Sequence, residues 1–213
     1  MRTEDLVRLL ARGEVAADPR VGVRGFSGAA GWGAFGAVLL MAVFLGVRPD
    51  LQQAVLLPMF WLKLGFALSI AACALIVAFR LALPGRGAGR ALWGIGATLA
   101  IIWTMGVAGY AGAEPSARLE MLLGQTWRWC PLLIAGLSLP AFGTGLWAMR
   151  TLAPANLRRA GAGLGFAAGA IGATAYSLHC PELAAAFIGV WYVIGMLIPT
   201  VAGALLGPWI LRW

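Results

Sequence analysis

The sequence predicts an all-α integral membrane protein, a bundle of six transmembrane helices preceded by a short cytoplasmic amphipathic helix. Composition is the first reason. Of 213 residues, 61% are hydrophobic and 11% charged, at a mean hydropathy of +0.86, so the chain has too few polar groups to coat a water-soluble globule of its size. The second is length: six apolar stretches come close to or exceed the roughly 20 residues that cross a hydrocarbon core. The third is charge placement, because arginines gather between alternate stretches.

The stretches are 26–47, 51–79, 91–113, 130–149, 160–178 and 183–211, and Lys63 is the one charge inside any of them. Membrane strands would need alternating segments of about ten residues, whereas these runs are continuously apolar and rich in Leu, Ala, Met and Trp. Trp93, Trp127, Trp129, Trp209 and Trp213 fall near stretch ends, where indole rings favour the headgroup region. Arg2, Arg8, Arg12, Arg20, Arg24, Arg80, Arg86, Arg90, Arg150, Arg158, Arg159 and Arg212 share one side, and Arg48, Arg118 and Arg128 the other. The positive-inside rule therefore places both termini in the cytoplasm of a bacterial inner membrane. Residues 1–25 carry nine charges before the first stretch, so no cleavable signal is expected. The chain divides into a cytoplasmic segment, 1–25, and a membrane domain, 26–213.

Glycine spacing adds a packing signal. Gly161, Gly165 and Gly169 recur every four residues, as do Gly203 and Gly207, which lets helix backbones approach closely within one bundle or between copies of the chain.

The sequence argues against catalysis. One histidine, eight carboxylates and no acidic pair within a stretch leave proton relays and hydrolytic centres without parts. The GRGAGR run at 85–90 lacks both a preceding strand and the lysine of a phosphate loop, and reads as a flexible turn. The net charge of +8 is spread over helix flanks and forms no nucleic-acid surface. No resident cofactor is expected. Lys63, twelve residues beyond Leu51, lies at most roughly 18 Å from the outer end of its helix. Its expected role is to snorkel or to pair with Glu182 or Glu114, with gating of a small transporter or channel as the alternative.

Cys73 reads as a packing residue deep in the second stretch, whereas Cys130 in RWCPLL and Cys180 in LHCPEL share the periplasmic face. An oxidising compartment allows a disulfide there. Alternatively, two soft thiolates beside His179 suit a transient copper, zinc or cadmium ion. In the leading segment, Thr3 caps a helix, Glu4 and Asp5 oppose its positive end, and Gly13 stops it. Leu6, Val7, Leu9 and Leu10 form an apolar stripe that needs a surface, either the lipid membrane or a groove on a cytoplasmic partner.

TEDLVRLLA near the start, FWLKLGFAL around Lys63, YSLHCPE at 176–182, VWYVIGMLIPT at 190–200 and GPWILRW at the end together resemble the NrsF-type negative regulators of sigma-F. That resemblance implies a six-span, non-enzymatic anti-sigma factor. It implies that the leading segment holds an extracytoplasmic-function sigma factor inactive, through the stripe of Leu6, Val7, Leu9 and Leu10. It also implies that Cys130 and Cys180 take part in sensing a metal or an oxidant.

Overall fold

A computed structural model of the chain describes residues 19–212, with side-chain surroundings from Gly22 onward. The expected leading helix over 3–12, with Leu6, Val7, Leu9 and Leu10, lies outside the described residues. All the described residues form helices and their connections, and no strand occurs among them.

Helix α1, Pro19–Leu40, opens on a proline and continues through a π turn, Met41–Leu45, to Gly46 at φ 77°. A single turn, α2 at Leu51–Ala54, precedes α3, Pro58–Ala82. The stretch read from sequence as continuous over 51–79 is therefore broken. Pro58 clashes with a helical predecessor, so Leu57 is extended (φ −90°, ψ 126°) and the membrane helix starts afresh at the proline. Helix α4 is Ala91–Gly112, and a short α5, Pro115–Leu123, occupies a connection that the sequence reading left without an element. Helix α6, Cys130–Arg150, carries Pro140 in its interior. Helix α7, Leu157–Tyr176, is capped by Asn156, whose side chain accepts the Arg159 amide at 3.0 Å. Finally α8, Ala185–Phe187, runs through a second π turn, Ile188–Tyr192, into α9, Val193–Ile210.

Among the described residues, five segments are long and apolar enough to cross a membrane: Gly22–Leu45, Pro58–Ala82, Ala91–Gly112, Cys130–Arg150 and Ala185–Ile210. Helix α7 is different. Its sequence, LRRAGAGLGFAAGAIGATAY, begins with two arginines and is otherwise mostly glycine and alanine, so its hydropathy is low. The reason lies in its position, since it packs against α9, α3, α6 and α1 and buries thirteen of its twenty residues. A helix wrapped by protein needs small residues for close approach rather than bulky ones for lipid. By contrast α4, which packs on α3 and α8, buries three of twenty-two.

The glycine spacing read from sequence is used inside the chain. A Cβ on Gly161 would overlap the Gly203 carbonyl oxygen, one on Gly165 the Pro199 carbonyl oxygen, and one on Gly207 the Leu157 carbonyl oxygen. The backbones of α7 and α9 are thus in direct contact. A similar crossing joins α1 to α6, where Gly33 faces Ala141 and Thr144 donates to the Ala29 carbonyl at 2.9 Å.

The two ends of the bundle differ in charge. One, the thiol end, carries segments 46–57, 113–129 and 177–184. Among the described residues it holds every carboxylate (Asp50, Glu114, Glu120 and Glu182), balanced by Arg48, Lys63, Arg118 and Arg128. From Gly22 to Arg212 the arginine end holds eight cations (Arg24, Arg80, Arg86, Arg90, Arg150, Arg158, Arg159 and Arg212) and no acid.

Packing at the α7–α9 seam gives a direct test. Gly165→Ala should destabilise the fold by about 1–3 kcal/mol or more, because the methyl meets backbone that has no room to move. Gly136→Ala, where a Cβ meets nothing within 4 Å, should be neutral or gain up to ~1 kcal/mol from helix propensity. Helical circular dichroism during titration with a denaturing detergent separates the two, and equal midpoints would refute close packing at this seam.

Candidate functional site

The thiol end is built around a break in the helical ladder. Helix α7 stops at Tyr176, and residues 180–184 are non-helical before α8 begins. Pro181 has no amide hydrogen to offer. The carbonyls of this segment therefore need donors from elsewhere, since an unpaired backbone acceptor in an apolar setting costs about 1–3 kcal/mol.

Lys63 and Arg48 are the donors. Lys63, 0% exposed, donates from Nζ to the Cys180 carbonyl at 2.7 Å and to the Glu182 carbonyl at 3.0 Å. The Nη1 of Arg48 reaches the same Cys180 oxygen at 3.4 Å, and its amide donates to the Leu178 carbonyl at 3.2 Å. Arg48 is itself held by Asp50, with Nε and Nη2 donating to the two carboxylate oxygens at 2.7 and 2.6 Å. That hydrogen bond holds the Asp50 carboxyl below its usual value, and Asp50 raises Arg48 in return. The pairing is fully present above the unfolded aspartate value of about 3.9 and is lost as pH falls through the lower folded one.

One expectation for Lys63 is corrected here. Its partners are backbone oxygens rather than the carboxylates of Glu182 or Glu114, because the Glu182 carboxylate is turned to accept the Gln125 amide at 2.7 Å. Its depth falls within the bound of roughly 18 Å set by the sequence. With α3 starting at Pro58, Lys63 lies five residues into the helix, roughly 7.5 Å along its axis.

The Glu182–Gln125 bond ties the 124–129 turn to the 180–184 segment, and this brings the two cysteines into one cluster. Gly124 sits at φ 54° directly against the Glu182 carboxylate, where a Cβ would collide with it. Cys130, whose amide donates to the Thr126 carbonyl at 2.9 Å, and Cys180, whose amide donates to the Tyr176 carbonyl at 2.9 Å, are both free thiols and both 0% exposed. Thr126 Oγ1 lies 4.0 Å from the Cys180 sulfur. Tyr192, fully buried, stacks 5.9 Å from the Tyr176 ring and lies under Lys63, 6.0 Å from Nζ to the ring centroid. Its hydroxyl has no hydrogen-bond partner in the structure.

His179 is placed differently from the sequence expectation. Its Nδ1 lies 2.9 Å from the Gly46 carbonyl, an acceptor, so that nitrogen carries the proton and the ring staples the end of α1 to the α7–α8 connection. No three His, Cys, Asp or Glu side chains among the described residues are grouped to hold a metal ion, so Cys130, Cys180 and His179 do not form a three-ligand cage in this structure. Cys73 is partly buried in α3, with its sulfur against Gly94 of α4, as a packing residue would be.

Sequence reasoning missed Arg48, Thr126, Tyr176 and Tyr192. Only Tyr176 left a signal, being one of three tyrosines and lying one helical turn before Cys180. Replacing the buried cation tests the clamp. Lys63→Met removes the donor for two carbonyls, worth ~2 kcal/mol or more together. The maleimide reaction rate of Cys180 in the reduced, folded protein should then rise at least tenfold, tenfold corresponding to about 1.4 kcal/mol. An unchanged rate would show that Lys63 does not hold the segment.

Comparison with known proteins places this arrangement in a lineage. The chain matches the family model described as negative regulator of sigma F over residues 10–213. A protein named a probable anti-sigma-F factor NrsF, from Azospira oryzae, is 46% identical over 213 residues, covering all of both chains. The anti-sigma-F factor NrsF of Caulobacter vibrioides is 40% identical over 221 residues, again covering both chains completely. No solved structure matches. A family-model match over nearly the whole chain, with identity of this level to relatives from end to end, means that the chain belongs to the family of negative regulators of sigma F.

Proposed function

We propose that this chain is a six-span inner-membrane anti-sigma factor that holds an extracytoplasmic-function sigma factor through residues 1–25 and releases it when the Cys130–Cys180 cluster changes state. The observation that carries the reading is full-length identity of 40–46% to two proteins named as anti-sigma-F factors. In this reading α7 is the sixth span, buried by its neighbours. Both termini are cytoplasmic, the thiol end faces the periplasm, and the protein is not an enzyme.

The thiol end is suited to a switch. Cys130 opens α6 and Cys180 ends the α7 connection, so a change at the pair bears on helices whose other ends form the arginine end. A signal that prefers the releasing form by about 100-fold supplies roughly 2.7 kcal/mol, similar to the cost of unpairing the carbonyls that Lys63 holds. Disulfide formation and capture of a soft metal ion are the two chemistries open to the pair. The rival reading, a small transporter or channel, rested on Lys63 as an intramembrane charge. Its engagement with two carbonyls disfavours a role in lining an ion path.

Affinity capture of the tagged full-length protein should retain a sigma factor from wild-type membranes. Leu6→Glu or Leu10→Glu should lower that retention at least tenfold and switch on the dependent genes, since burying one leucine contributes about 1.5–3 kcal/mol. Full repression by these variants at normal membrane abundance would exclude the leading stripe as the clamp.

The sensor is tested separately. Cys130→Ser and Cys180→Ser should each fix a reporter in one state, with the double variant no different from the singles. Protection of both thiols from alkylation that a chelator reverses identifies metal, and protection that only a reductant reverses identifies a disulfide. Normal induction of the double variant by metals and oxidants would remove the thiols from sensing.

A further inference from the structure

Between α3, α4, α7 and α9, at the arginine end, lies a cavity of about 740 Å³. Its walls are apolar, from Ala74 and Leu81 of α3 across Ile95 of α4 to Ala162 and Phe166 of α7. Arg86 and Arg159 stand at its mouth, both exposed. Neither guanidinium donates a hydrogen bond or joins an ion pair among the described residues. The gap exists because α4 packs on α3 and α8 and makes no extensive contact with α7.

From these observations we infer that the cavity binds one anionic phospholipid, its phosphate between Arg86 and Arg159 and one acyl chain between α3, α4 and α7. Charge decides the head. From Gly22 to Arg212 the arginine end carries eight cations and no carboxylate, so the anion that pairs Arg86 and Arg159 comes from outside this part of the fold. Shape decides the tail. From Leu81 to Ala74 the cavity follows α3 for roughly 10 Å into the apolar bundle, below the level of the arginines. Sixteen methylenes at about the 30 Å³ of a water molecule occupy roughly 480 Å³, which the cavity accommodates. A ten-residue helix about 10 Å wide and 15 Å long displaces on the order of 1200 Å³, more than the cavity holds, so the leading segment is the poorer occupant. Basic pockets between membrane helices bind anionic headgroups in this way.

The test uses the full-length protein in symmetric bilayer discs of phosphatidylcholine containing phosphatidylglycerol, so it depends neither on sigma binding nor on which face is cytoplasmic. Native mass spectrometry should find one phosphatidylglycerol retained per chain and no comparable phosphatidylcholine. Arg86→Gln with Arg159→Gln should cut retention at least tenfold, whereas Arg158→Gln, on the same helix but off the cavity lining, should leave it unchanged. Ala162→Trp should lower retention with both arginines in place. Should that variant fail to fold, excess short-chain phosphatidylglycerol, with the same head and little tail, should compete poorly against the long-chain lipid. A photo-crosslinker at Leu92, on the lining, should capture lipid. Equal retention of both lipids, insensitivity to the double glutamine variant, loss with Arg158→Gln, efficient competition by the short-chain lipid, or crosslinking to residues 1–18 would each overturn the assignment.

Discussion

The hydrogen bonds from Lys63 to the carbonyls of Cys180 and Glu182 are the interaction on which the thiol end depends. In lipid, a break in a helix leaves acceptors that water cannot reach, and each needs a donor from the protein. Between α7 and α8 the chain stops being helical, and Pro181 contributes no amide hydrogen. A buried ammonium with three donors meets that need better than any neutral side chain. Carbonyl oxygens and the Tyr192 ring face its ammonium, with no contacting acid among the described residues. Lys63 also fixes the segment that contains Cys180, so the cation and the thiol belong to one structural unit.

The other half of the design is the glycine seam. Because α7 touches α9 backbone to backbone, a displacement at its thiol end cannot be absorbed by bending side chains, and close-packed interfaces move between discrete arrangements rather than deforming smoothly. The same helix packs against α1, α3 and α6, so it links most of the bundle. His179, bonded to the Gly46 carbonyl, ties the end of α7 to the end of α1, the helix that follows the leading segment. A physical connection therefore runs from the α7–α8 connection, which contains Cys180, to the end of α1.

Charge divides the molecule into two ends with different chemistry. The thiol end carries four cations and four carboxylates among the described residues; Arg48 pairs with Asp50, while Lys63 and Arg118 donate to backbone carbonyls of the connecting segments. The arginine end has no acids of its own among the described residues, and its cations are available to what lies outside the fold. An end left cationic suits anionic surfaces.

Hydropathy alone located five membrane-length helices closely, because a long uncharged run has few other stable states in lipid. The family was legible as well, since the quoted motifs lie along nearly the whole chain. The spacing of Gly161, Gly165 and Gly169 announced close packing, but not that the partner would be α9 of the same chain. Where the sequence reading went astray, the cause was local or long-range geometry. Pro58 moved the start of α3 and so the depth of Lys63, through a steric clash that composition does not register. Cys130 and Cys180, fifty positions apart, were marked as a pair by their shared face and following prolines, yet only the fold places both against Thr126, whose carbonyl accepts the Cys130 amide and whose hydroxyl lies 4.0 Å from the Cys180 sulfur. The partners of Lys63 could not be read at all, because backbone carbonyls have no signature in the sequence. Segment lengths, charges and motifs follow from the order of residues, whereas which carbonyl meets which cation is decided only when distant segments pack together.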